Sequence, residues 1–218
     1  MRQVAFGILL LLSLTMSLAF GQKQQEQASD TTVKSSLDLW QVMFAQVSPN
    51  MTTKEVDSST QQVTSENKMS GNNFGIYFEV IKRGNEYFEW LAHAGYEVFS
   101  VSSKESLTYC PSGSAEVCNV EISYLSVGLM PRLKWRRKTF QVWSGGGLNV
   151  KQPLTKKATA ILQSDIQATS TYGIALGIDV FFGEKFILPF EVQQQYFFNS
   201  DSVEARQILF KVGLGRVF

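Results

Sequence analysis

The chain has 218 residues, and its 20 lysines and arginines against 19 aspartates and glutamates leave a formal net charge of +1 at pH 7, which gives no reason to expect a nucleic-acid partner. Aromatic side chains make up 12% of it, with 16 phenylalanines, and glycine contributes 16 residues more. No stretch after Phe20 approaches the roughly 18 to 20 consecutive apolar residues that a spanning helix needs, which excludes helical insertion into a membrane.

The amino terminus reads as an export signal. Met1 and Arg2 are followed by an apolar run over residues 4–12, and Ala19 and Gly21 put small residues at both cleavage-determining positions. The expectation is a signal peptide over 1–21, cut before Gln22, then a flexible polar leader over 22–36 and a single domain over 37–218.

Within that domain, short segments of alternating character recur. The first, 37–47, sets Trp40, Val42 and Phe44 against Leu39, Gln41, Met43 and Ala45. Residues 48–72 are polar and read as a long solvated loop. Residues 73–82 put Phe74, Ile76, Phe78 and Val80 on one face, with Gly75, Tyr77, Glu79 and Ile81 on the other. After a turn at 83–86, residues 87–99 return with Phe88, Trp90, Ala92, Ala94, Tyr96 and Val98 opposed to Glu89, Leu91, His93, Gly95 and Glu97.

Residues 100–119 form a polar loop containing Cys110 and Cys118. In an exported protein these read as a small disulfide ring worth roughly 2.5 kcal/mol. Unpaired thiols or half of a metal site are the alternatives, but His93 is the only histidine and no third cysteine exists to complete a zinc set. The strand over 120–135 has an ambiguous phase near Ser126, for which a bulge at Pro131 is the expected cause.

A basic turn, Arg136, Arg137 and Lys138, leads into 139–151, where Phe140, Val142, Leu148 and Val150 oppose Gln141, Trp143, Gly145, Gly147 and Asn149. The triple glycine 145–147 marks a sharp bend, or room for a bulky neighbour from across the lumen. A loop is expected over 152–168. Residues 170–182 then set Tyr172, Ile174, Leu176, Ile178 and Val180 against Thr171, Gly173, Ala175, Gly177 and Asp179. After a turn at 183–185, residues 186–198 set Phe186, Leu188, Phe190, Val192, Tyr196 and Phe198 against Ile187, Pro189, Glu191, Gln193 and Gln195. A last strand follows the loop 199–204 and ends with Ile208, Phe210, Val212 and Leu214 opposite Leu209, Lys211, Gly213 and Gly215.

Eight strands with connections alternately long and short describe an all-β, antiparallel, up-and-down barrel, and the composition of its faces decides the solvent. One face is aromatic and aliphatic at nearly every position. The other carries Glu79, Glu89, His93, Glu97, Asp179, Glu191, Gln193, Gln195 and Lys211, too polar for the core of a soluble calycin barrel. Nor is there a lipocalin-type Gly-x-Trp in the first strand, since Trp40 follows Asp38 and Leu39. The expectation is therefore a transmembrane β-barrel with lipid outside and a polar lumen.

The runs Val127-Gly-Leu-Met-Pro-Arg-Leu-Lys-Trp135, Phe140-Gln-Val-Trp-Ser-Gly-Gly-Gly-Leu148, Tyr172-Gly-Ile-Ala-Leu-Gly-Ile-Asp-Val-Phe-Phe182 and Ile187-Leu-Pro-Phe-Glu-Val-Gln-Gln-Gln-Tyr196 resemble the outer-membrane protein β-barrel domain family, small barrels related to outer-membrane proteins A, W and X. The likeness covers roughly residues 74–218 and its motifs are loose. It implies location in a bacterial outer membrane and contact with its lipid. It also implies handling by the outer-membrane assembly machinery, whose carboxy-terminal signal maps onto Lys211, Gly213 and Phe218, with Arg216 departing from the pattern.

The lumen carboxylates Glu79, Glu89, Glu97, Asp179 and Glu191 need cations, for which Lys211, His93, Arg132 and Lys134 are available. A structural network is the first reading of this set. A narrow channel for small solutes or hydrophobic molecules is the second, and a lipid-modifying enzyme using His93 with Glu89 or Glu97 is a distant third, because no serine shares their face. No catalytic, cofactor or metal site is assigned, and recognition of an extracellular ligand falls to the polar loops.

Overall fold

A computed structural model describes residues 39–56, 63–103, 117–183, 185–198 and 202–217. The expected signal peptide, the leader, Cys110 and Phe218 lie outside these residues, and so does the Cys110–Cys118 pairing. Cys118 itself is buried just ahead of β5.

The strands are β1 (Leu39–Val56), β2 (Val63–Ser70), β3 (Asn73–Arg83), β4 (Phe88–Ser103), β5 (Asn119–Arg136), β6 (Phe140–Ala158), β7 (Thr169–Phe182), β8 (Phe186–Phe197) and β9 (Val203–Val217). All neighbours are antiparallel, and β1 pairs with β9 from Leu39↔Val217 to Thr53↔Val203, which closes the sheet into a barrel. Closure removes the unpaired edges that no sheet can present to hydrocarbon.

Nine strands build eight staves. β2 and β3 occupy one position between β1 and β4, and their registers run on without a shift: Asn50↔Ser70 in β1–β2 continues Val47↔Asn73 in β1–β3. The stave breaks at Gly71 and Asn72 because it faces Pro49, which has no N–H to give. Gly71 keeps its own bond to the Pro49 carbonyl at 3.1 Å, and its Cα lies so close to the Ser100 carbonyl that any side chain there would collide with it. The expected loop over 48–72 is therefore mostly strand. The expected loop over 152–168 is likewise shortened, since β6 runs to Ala158 and a single 3-10 turn follows at Gln163–Asp165.

The ambiguous phase of β5 has a different cause from the one expected. Even-numbered residues of β5 point inward along its length and no register shift occurs at Pro131. The shift in this seam lies between Ser123 and Tyr124, where β6 carries Leu154 as an extra residue. What changes near Ser126 is chemistry, not geometry. Leu125, Val127 and Leu129 point outward and are apolar, whereas further along the strand the inward Val120, Ile122 and Tyr124 are apolar and the outward Glu121 is polar.

Curvature is packed rather than merely bent. The Trp143 ring of β6 lies over Gly177 of β7, so close that a Cβ there would stand 2.3 Å from ring carbons, and the Tyr77 ring lies over Gly95 in the same way. In the triple glycine, Gly145 and Gly147 make room for Met130 and Arg132 from the adjacent strand β5, not for a side chain from across the lumen. Gly146 faces outward, with only a backbone oxygen at 3.4 Å. Gly177→Ala is expected to lower the unfolding free energy of the refolded barrel by about 1–3 kcal/mol by overpacking Trp143, whereas Gly146→Ala should stay within about 0.5 kcal/mol; denaturant titration in detergent micelles compares them.

Candidate functional site

The faces sort as alternation requires, with the polarity of a soluble barrel reversed. Outward Phe78 and Phe210 are each 50% exposed and Ile174 is 61% exposed, while inward Glu79, Glu97, Asp179 and Lys151 are fully buried. Outward aromatics gather at two levels. Trp40, Trp90, Trp135, Phe182 and Phe186 stand near the short turns, and Phe74, Tyr96, Tyr172, Tyr196 and Phe198 near the long connections. Tyr172 stacks on Tyr196 at 5.5 Å between ring centres. The ten steps from Tyr172 to Phe182 span about 33 Å of strand, or about 25 Å of barrel axis at a tilt near 40°, matching the apolar band of outer-membrane barrels.

Within the lumen the charges form three clusters. Nearest the short turns, Arg132 of β5 reaches Glu89 of β4 at 3.3 Å and Asp179 of β7 at 3.2 Å, with its guanidinium 3.4 Å above the Trp143 ring centre. Lys134 joins Glu89 at 3.2 Å. Gln141 donates to both carboxylates, and the Trp143 indole N–H donates to Asp179 at 3.2 Å.

At mid-height Lys211 of β9 bridges Glu79 of β3 and Glu191 of β8, each at 3.0 Å, and Gln41 donates to Glu79 at 2.6 Å. Above this, Glu97 of β4 pairs with Lys151 of β6 and accepts from the Tyr77 hydroxyl and Gln207, which also donates to Gln195 at 2.9 Å. All five predicted lumen carboxylates are thus buried and paired, as isolated buried charges must be.

Apolar packing stops the lumen at both ends. Leu39, Ile81, Leu91, Met130, Ile187 and Val217 surround the lowest charges. Beyond Glu97, an apolar cluster including Met51, Phe99, Tyr124, Ile166 and Phe197 fills the mouth, with Phe99 edge-on to Phe197 at 5.3 Å. Ile166 comes from the β6–β7 connection, whose backbone carbonyl there is held by the Lys156 ammonium.

Of the four cations expected, Lys211, Arg132 and Lys134 pair with the carboxylates and His93 does not. It faces Glu79 in register, yet neither ring nitrogen has a hydrogen-bond partner, and the ring stands edge-on to Tyr77 at 5.7 Å. Sequence reading passed over Lys151, Gln41, Gln141 and Gln207. Lys151 was hidden at the end of a strand read seven residues short; extending the alternation of β6 past Asn149 would have placed it inside. Of the carboxy-terminal trio, Lys211 and Gly213 point inward and Arg216 outward, while Phe218 lies outside the described residues.

No family model matches the chain, and no curated protein matches it in sequence. Among solved structures it is similar to outer membrane protein OprG from Pseudomonas aeruginosa, with a TM-score of 0.57 at 15% identity, covering 84% of this chain and 96% of that one. Outer membrane protein AlkL, solved in lipid bilayers, gives 0.56 at 13% identity over 89% and 96% of the two chains. Neisserial surface protein A gives 0.52 at 12% over 83% and 97%. The chain has the fold of the small outer-membrane β-barrels.

Lys211→Met leaves two buried carboxylates without their shared cation and is expected to cost about 3–5 kcal/mol of stability. Adding Glu79→Gln and Glu191→Gln should recover most of that loss. Urea unfolding of the single and triple variants measures the difference.

Proposed function

We propose that this chain is an integral outer-membrane β-barrel of a bacterium, exported by residues 1–21 and recognised for assembly through Lys211, Gly213 and Phe218. In this reading the lumen is a structural core, and the protein acts through the segments at its long-connection end, which bind an extracellular ligand. No group is assigned a catalytic role. The carrying observation is the lumen itself: three ion-paired clusters link β3, β4, β5, β6, β7, β8 and β9 across the interior, with one apolar cluster packed among the lowest charges and another filling the opposite mouth. A cylinder braced this way is a rigid support.

The channel reading keeps one observation in its favour. Gln41 Oε1, Ser126 Oγ, Gln193 Oε1, Gln195 Nε2 and both His93 nitrogens are buried in the lumen without hydrogen-bond partners. Buried groups of this kind ordinarily bond to water. Planar-bilayer recording separates the two readings. A structural lumen gives no steady conductance from the folded chain, whereas conductance that disappears in Glu191→Gln would establish the path.

The membrane assignment has its own measurement. Leu176→Lys on the outward face of β7 should cost about 2–4 kcal/mol for folding into phospholipid vesicles. A cost near zero would mean that this face meets water. Unheated and heated samples should also migrate differently on a detergent gel, as a folded barrel requires.

A further inference from the structure

The two ends of the barrel differ in charge. At the long-connection rim, three described cations have acidic neighbours: Lys54 pairs with Glu204 at 2.6 Å, Lys68 with Glu66 at 3.5 Å, and Glu121 stands opposite Lys157 in register. At the short-turn rim, Arg136, Arg137, Lys138, Lys185 and Arg216 are all exposed, and none makes an ion pair among the described residues.

These five lie along one arc. The β5–β6 turn is joined to the end of β7 by the bond from Phe181 N–H to the Thr139 carbonyl at 2.8 Å. The β7–β8 turn is joined to the end of β9 by the bond from Val217 N–H to the Lys185 carbonyl at 2.9 Å, and Phe186 pairs with Arg216.

The arc is built against the apolar wall. The Arg137 guanidinium lies 4.6 Å from the ring centre of outward Trp135, while that of Arg136 lies 4.4 Å from the ring centre of Phe181, which packs on the inner apolar cluster at the end of the lumen. Exposed Phe182 and Phe186 complete the edge. The Trp135 contact holds Arg137 at the lipid boundary rather than letting it extend into solvent. It presents that cation beside outward aromatics of the kind that sit at headgroup level.

We propose that this arc, Arg136 to Lys138 with Lys185 and Arg216, is a binding surface for the phosphodiester headgroups of anionic phospholipid in the leaflet that meets the short turns. The inference rests on the membrane reading above. A polyanion in solution shares the phosphate chemistry, but it gives no role to the aromatic edge against which Arg137 is stacked; a lipid engages both.

The test uses the full mature chain folded into phosphatidylcholine vesicles that contain brominated phosphatidylglycerol or, at equal mole fraction, brominated phosphatidylcholine. Tryptophan quenching reports the relative association of each lipid with the wall. The expected result is a preference for phosphatidylglycerol of about fivefold for each cation engaged. It should fall about fivefold for each engaged cation removed in R136Q/R137Q/K138Q, reach equality when K185Q and R216Q are added, and persist in K156Q/K157Q at the other rim.

Equal quenching by the two lipids in the native chain, or a preference undiminished when all five cations are replaced, overturns the proposal. So does tighter binding of inorganic polyphosphate than of phosphatidylglycerol by the detergent-solubilised chain, which would mark a site for a soluble polyanion. A chain that enters no vesicle and shows no heat-dependent migration refutes the membrane reading and this inference together, whereas entry without lipid preference refutes this inference alone.

Discussion

Closing an eight-stave cylinder puts every second side chain into an interior too narrow for bulk water, and the pairing of charge across that interior is the constraint on which the rest of this structure depends. Five carboxylates placed there singly would each carry a desolvation cost of several kcal/mol. The chain meets this by drawing partners from different staves: Glu97 from β4 takes Lys151 from β6, Glu79 from β3 and Glu191 from β8 share Lys211 from β9, and Arg132 from β5 joins Glu89 of β4 to Asp179 of β7. Because each contact crosses between strands that are not all neighbours, an ion pair here fixes the cylinder's cross-section as well as neutralising charge. A register slip of one residue in any of these strands would turn its charged members out toward the apolar side.

The same interior explains the glycines. A narrow lumen that must hold Trp143, Tyr77, Met130 and Arg132 has no volume left for side chains on the strands beside them, so Gly177, Gly95, Gly145 and Gly147 stand where those large groups lie flat against the wall. Trp143 does two things at once: its ring covers Gly177 and supports the Arg132 guanidinium, and its N–H satisfies Asp179. Packing and charge neutralisation are coupled through that one residue, and the effects of substitutions at Gly177 and Arg132 should not add.

How much of this could be read from the sequence follows from where each strand sits in the membrane. β7 and β8 alternate cleanly because nearly their whole length faces lipid on one side and lumen on the other, and every face assignment made for them holds. The strands that run beyond the apolar belt were harder. Past that level water replaces lipid outside and the apolar plug replaces the ion clusters inside, so the chemical alternation inverts while the geometric one continues. Phe99 and Val101, Val120 and Ile122, and Met51 are the inverted positions. An observer counting apolar residues sees a phase error at Ser126 and polar loops over 48–72 and 152–168, where the chain is continuous strand for much of the way. The carboxylates were legible as a set because acidic residues on an otherwise apolar strand are conspicuous. Their partners were less so, since a lysine at a strand end and a glutamine anywhere are ordinary in sequence and acquire meaning only from the stave that closure puts opposite them.

Net charge illustrates the same point at the scale of the molecule. A sum of +1 describes a chain with no electrostatic preference, but the fold distributes that sum unevenly. Five carboxylates meet four cations inside, where they are consumed by one another; one rim carries several cations with acidic neighbours; the other carries an arc of arginines and lysines that make no ion pair among the described residues. Along β5 alone, Arg132 and Lys134 point inward to carboxylates, and Arg136, two positions on, is already past the last acidic partner and lies exposed over the Phe181 ring at the end of the lumen. Identical residue types on one strand thus belong to a neutral core or to a charged surface according to how far along the axis they lie. What such a protein can bind is governed by this segregation rather than by the total, because a surface site interacts only with charge that the interior has left uncompensated.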